Sequence, residues 1–192
     1  MTTQWVLNEV KSITERNIQV LKQRLGGLSE KQLQWKPNEY TWSILEIAAH
    51  LNEYARFYHE AFQRRMEKTR FREPRENFVS SPLGRSAWMS MKLGNAKNVK
   101  RKFNSPKSYN PTIVPELTKA DGLETLLKGQ RELLQIVETA ATVNIRKVKV
   151  PISISKIIRL RLGDGLLFVA YHNERHVQQA LNLLKSPQFP KK

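Results

Sequence analysis

Residues 164–184 read DGLLFVAYHNERHVQQALNLL, and the fold turns on how this stretch is read. It contains no proline, it follows Gly163, and Pro187 and Pro190 interrupt the basic tail beyond it, so the spacing predicts a helix from Asp164 to about Leu184. Asp164 is the expected N-cap, because its short carboxylate can accept from the orphan amides of a first turn. Inside this helix His172 and His176 stand four residues apart. They therefore share one face and converge on one point. That spacing lets an imidazole pair grip a divalent metal, and it equally describes two core histidines with hydrogen-bond partners.

Working outward, the nearest candidate partner helix begins at Ser43. Ser43 and Glu46 form an S-x-x-E capping box, in which each side chain satisfies an amide of the other residue. Ile44, Ile47, Ala48, Leu51, Ala55 and Tyr58 give this helix an apolar face. His50 lies on the side of Ile47, Leu51 and Tyr54 and should face inward, where an imidazole needs a partner. His59 is nine residues further on, half a turn around the helix, and is expected at a surface or rim position. Three histidines from two helices would leave a metal an open position, the arrangement of catalytic rather than structural zinc.

Two more helices complete the pattern. Val6, Val10, Ile13, Val20 and Leu21 mark one from about Thr3 to Leu25. Gly26-Gly27 is expected to stop it through the left-handed conformation, and Ser29-x-x-Gln32 predicts a short capped turn after it. Leu123, Leu126, Leu127, Leu133, Leu134 and Val137 mark another from about Ala120 to Ala141. In residues 143–162, Val148, Val150, Ile152 and Ile154 alternate with polar positions, which favours an extended hairpin segment. The IIRL that follows reads as well as the start of a helical turn. Residues 67–118 form a basic, proline-containing insertion with at most a short helix at 88–93. The sum is an all-α four-helix bundle, a single domain over 1–192 with a long crossover between its second and third helices.

Composition bounds the chemistry. Hydrophobic residues make up 40% and charged residues 26%, enough apolar material for a core, which excludes a wholly disordered chain. The chain has no cysteine, so disulfides, thiolate metal sites and a protein thiol nucleophile are excluded, and a cytoplasmic location fits. No secretory h-region and no run of about eighteen apolar residues is present, so no membrane partner is expected. The net charge of +16 attracts anions, among them nucleic acid, acidic membrane surfaces and anionic metabolites. The excess is concentrated: residues 77–115 hold seven basic residues and residues 139–163 hold six, neither with an acid. Trp88, Phe103 and Tyr109 are interspersed in the first stretch. That mixture suits a phosphate backbone, but it also describes a solvated basic surface, and no nucleic-acid-binding module is recognisable.

The stretch LSEKQLQWKPNEYTWSILEIAAHL (28–51), followed about 120 residues later by HNERHVQQ (172–179), resembles the DinB/YfiT-like superfamily. The shared pattern is W-S-x-x-E-x-x-x-H on one helix and H-x-x-x-H-x-x-Q on a late one. Here it falls on Trp42, Ser43, Glu46 and His50, then His172, His176 and Gln179. It spans the four helices but not residues 67–118. The resemblance implies an up-and-down four-helix bundle with a three-histidine site for nickel, zinc or another divalent ion. It also implies metal-dependent hydrolase or low-molecular-weight-thiol S-transferase chemistry on a small molecule, the thiol arriving as a cosubstrate. Such an ion lowers the pKa of a bound water and favours the thiolate of a small thiol.

Gln179, on the face of His176, reads equally as a residue that orients a ligand and as an ordinary polar residue beside the core, and Glu46, one turn before His50, reads first as the partner in its capping box and second as a carboxylate that orients a ligand. Tyr54 reads as packing. Glu174 and Arg175 project away from the histidine face, which makes Glu174 a poor general base. The alternative is a basic nucleic-acid-binding or stress-associated bundle without catalysis, and an apolar bundle surface would support a homodimer.

Overall fold

The computed structural model describes residues 1–94 and 105–191. Four long helices dominate: α1 (Thr3–Val20), α3 (Ile44–Glu67), α5 (Gly122–Ala140) and α6 (Leu162–Leu183). Two shorter ones are α2 (Glu30–Gln34) and α4 (Pro82–Met91). α1 and α3 each pack against both α5 and α6, and α4 lies along α6. The fold is mostly helical, with one addition to the expected class, an antiparallel hairpin of β1 (Lys149–Ile152) and β2 (Ser155–Arg161). No helix among the described residues is long and apolar enough to cross a membrane.

Local signals set most boundaries. Both capping boxes form: Ser29 with Gln32 opens α2, and Ser43 with Glu46 opens α3. α1 runs into a π-helical turn, Leu21–Leu25, and ends at Gly26-Gly27. The reason differs from the expected left-handed cap, since Gly26 keeps a right-handed φ of −66°. Glycine is needed there for space: a Cβ would sit 2.9 Å from the Lys22 carbonyl oxygen.

The start of α6 corrects a second expectation. IIRL is strand, pairing Val150 with Leu160, and β2 passes into α6 at Leu162 without a break. The first amides of α6 are satisfied by the preceding loop, Leu162 N–H donating to Val148 and Gly163 N–H to Ile145. No side-chain cap is required, and Asp164 is released for another task. It is fully buried in the first turn, and one carboxylate oxygen accepts from the Ser81 amide at 3.0 Å and hydroxyl at 3.1 Å. Ser81 in turn caps α4 by accepting from the Gly84 amide. Asp164 therefore anchors α4 to α6, and the expected short helix in the insertion starts earlier, at Pro82. The insertion's residues 95–104, Phe103 among them, lie outside the described residues.

The core is two apolar clusters. One gathers Val6, Ile13, Phe62, Leu133 and Tyr171, and the other Leu21, Ile47, Leu51, Leu126 and Val177. Along three helices the change from one cluster to the other falls at buried polar residues: Asn17 on α1, Gln130 on α5, and His172 with Asn173 on α6. Asn17 donates to Gln130 at 3.5 Å across this level.

Packing is also tight at Gly163, where a Cβ would lie 2.5 Å from the buried Phe78 ring. Gly163→Ala should cost about 1–3 kcal/mol despite the better helix propensity of alanine. Thermal unfolding should shift down by about 3–10 °C. An unchanged midpoint would mean that Phe78 is free to yield.

Candidate metal centre

The expected trio meets. His50 comes from the second turn of α3, and His172 and His176 come from successive turns of α6. One nitrogen of each lies within 4.8 Å of the others, and His50 Nε2 and His172 Nε2 are 3.2 Å apart. A tetrahedral ion with bonds of 2.0–2.1 Å would space two nitrogens by about 3.3 Å. The donor set therefore fits a metal ion.

The second nitrogens set the tautomers. His50 Nδ1–H donates to the Tyr109 carbonyl at 2.7 Å, and His176 Nδ1–H donates to Gln179 Oε1 at 2.9 Å. Each bond leaves Nε2 with a free lone pair. Ser105 Oγ lies 3.4 Å from His50 Nδ1. His172 Nδ1 is buried without a hydrogen-bond partner, so its ring is held by stacking, on Tyr54 at 4.3 Å and Phe168 at 5.7 Å between centroids. Trp42 packs against the rings of His50 and His176 and donates its indole N–H to Thr112.

Burial keeps all three imidazoles neutral. Desolvation lowers His50 to about 4 and His176 to about 3. His172 falls well below its ordinary value through burial and then the charges its neighbours would carry. At neutral pH the site offers lone pairs rather than positive charge, the state metal binding requires. The trio lines a cavity of about 420 Å³ whose walls include Trp42, Tyr54, Met91 and Phe168, with Tyr40 and Arg175 also contributing. Tyr40 is 88% exposed and stands at the mouth. No carboxylate lines the cavity among the described residues.

The other candidates divide. Gln179 reaches His176, as its spacing suggested. The carboxylate of Glu46 is engaged by the Ser43 amide and by Lys36, at 2.7 and 3.0 Å. Glu174 points away to Arg16 at 3.0 Å, whereas Arg175, also expected to project away, lines the cavity. Tyr54 packs as expected and also lines the cavity.

His59 corrects the sequence reading, being 3% exposed rather than at a rim. The side of α3 opposite His50 faces α5 instead of solvent. α5 comes close at Gly129, where a Cβ would make ordinary van der Waals contact with Ala55 and His59. Glu132 on α5 bonds His59 Nδ1 at 3.0 Å. A helical wheel of α3 alone carries no sign of that second neighbour. The Tyr109 carbonyl had no sequence signal either, because a backbone acceptor in an irregular segment has no residue type.

A family model described as the DinB superfamily matches residues 13–180. The chain belongs to the DinB superfamily. No curated protein and no solved structure matches it. The matched span of this DinB chain includes all three histidines and the insertion between them.

The buried imidazoles tie stability to pH. In metal-free protein the folded state holds fewer protons than the unfolded chain between the folded values and about 6.5, so stability must rise with pH across that window. Lowering the pH from 7 to 4 should remove stability, on the order of 3 kcal/mol for His50 alone given its shift to about 4. Urea titrations of metal-stripped protein at stepped pH would measure this. A flat profile between pH 7 and 4 would contradict neutral burial.

Proposed function

We propose that this DinB protein is a metal-dependent enzyme that binds one divalent ion, nickel or zinc, through His50, His172 and His176. On this reading α1, α3, α5 and α6 constitute the family's four-helix bundle. The observation that carries the proposal is the convergence of three neutral imidazoles in one cavity. Neutral nitrogen donors without a thiolate suit nickel and zinc. A bound ion would supply Lewis acidity, making water or a small thiol available as a nucleophile near neutral pH.

Of the two reaction classes implied by the family resemblance, transfer to a low-molecular-weight thiol has the better support. Hydrolysis with proton transfer by a side chain calls for a carboxylate or a titrating histidine at the reacting atom. The described cavity wall has no carboxylate, and its histidines are committed as ligands. A thiol, with an ordinary pKa of about 8.5, needs far less help to ionise than water. The chain has no cysteine of its own, so the thiol must enter as a cosubstrate. Trp42, Tyr54 and Phe168 would exclude water around an apolar acceptor. Arg175 supplies the one formal positive charge among the cavity-lining residues and would favour an anionic thiol. Tyr109 and Gln179 hold the imidazoles in their ligating orientation.

Metal-free protein made without a histidine tag should take up one equivalent of Ni(II) or Zn(II) by titration calorimetry, with a matching rise in thermal stability. His172→Ala should abolish uptake, and Gln179→Leu should weaken it by about 10–100-fold while leaving the stoichiometry intact. Stoichiometry near zero in the parent, or unchanged uptake by His172→Ala, would refute the site.

A further inference from the structure

The function above leaves most of the positive charge unused, and part of it is gathered in one place. A surface hollow of about 260 Å³ lies between the C-terminal end of α3 and the start of β1. Arg65, Lys68, Arg70, Lys147 and Lys149 line it, and no acid does. Arg70 and Lys147 both approach the ring of Phe71, at 5.3 and 5.5 Å. None of the five cations is in a salt bridge among the described residues.

The adjoining hairpin extends this surface. Val150 and Leu160 pair and are buried, so by strand alternation Lys149, Pro151 and Arg159 face the other way. At the hairpin's end the isoleucines are bare: Ile154 is 70% exposed, Ile157 89% and Ile158 41%. Ile157 shares the face of Arg159 and Ile158 that of Leu160, so apolar area is exposed on both faces at the tip; it is unfavourable in water and marks the tip as an interaction surface.

We propose that the hairpin and the cations beside it dock on an anionic lipid bilayer, the isoleucines entering the interfacial layer while the cations meet lipid phosphates. Buried apolar area plus attraction to anionic headgroups is the combination that holds proteins at a bilayer surface without a spanning segment. It goes beyond the expectation of no membrane partner, which rests on the absence of spans. Nucleic acid accounts for the cations but not the isoleucines, because stacking on bases needs aromatic faces. A second copy of this chain docking face to face would set the cations against each other. Arg65 lies 15 residues along α3 from His50, about 22 Å, so docking would leave the histidine cavity open.

The test is flotation of the full chain with vesicles at about 0.1 M NaCl. Vesicles of about two parts phosphatidylcholine to one part phosphatidylglycerol should carry the protein up, and phosphatidylcholine alone should not. Ile154→Ser with Ile157→Ser alters only exposed side chains and should weaken partitioning about fivefold or more at unchanged melting temperature. Lys147→Glu with Lys149→Glu should weaken it about tenfold or more. Lys22→Glu with Arg24→Glu makes the same change in net charge away from the hairpin and should alter it less than about twofold. Failure of the parent to float overturns the proposal, as does an equal loss in the Lys22 and Arg24 variant. Unchanged binding by the isoleucine variant, with displacement of the parent by duplex DNA, would instead assign the surface to nucleic acid.

Discussion

Three imidazoles buried side by side constrain everything around them. A charged imidazole in that position would lose its hydration and be repelled by its neighbours, so the rings stay neutral. A neutral ring has one donor and one acceptor. Two of the donors are used, on the Tyr109 carbonyl and on Gln179, which turns the Nε2 lone pairs of His50 and His176 toward the centre. Imidazole lone pairs gathered at a buried centre are an unfavourable way to build a core and a favourable way to build a cation site.

That constraint explains the shape of the surrounding structure. The aromatic rings of Trp42, Tyr54 and Phe168 hold the imidazoles by contact, which needs no further hydrogen-bond partners. Tyr109 belongs to the long connection between α4 and α5, so a segment outside the four long helices supplies a bond to a central ring. α4, which leads into that connection, is in turn anchored at its head by Asp164, whose carboxylate takes the Ser81 amide and hydroxyl. α6 therefore contributes twice, with two histidines in its middle and an anchor for the insertion at its first turn.

The parts of this arrangement that could be read from the sequence are those encoded within one helix. Both capping boxes are i,i+3 patterns, and the His172–His176 pair is an i,i+4 pattern, so neighbours along the chain suffice to reveal them. His50 was legible because its apolar neighbours Ile47 and Leu51 mark the inward face. His59 was not, since the same logic assigns the opposite face to solvent, and only the approach of α5 at Gly129 brings Glu132 to it. Asp164 failed for a related reason. As an isolated helix start it looks like a cap, but β2 runs straight into α6 and the carbonyls of Ile145 and Val148 take over that role. In both cases a tertiary neighbour changed the meaning of a locally sound signal.

The same hairpin has two unlike sides. Its buried side, through Val150 and Leu160, belongs to the apolar cluster that contains Phe62 and Tyr171, and its last strand continues into the histidine helix. Its other side is cationic, and its tip carries exposed isoleucines. A strand pair this short is marginal in water by itself, so its inner face depends on the core for stability, leaving the outer face free to vary without disturbing the ligands. The alternation of β1 and β2 thus separates two demands on one segment. Inward residues set where α6 begins and so help place His172 and His176, whereas outward residues determine what the surface meets.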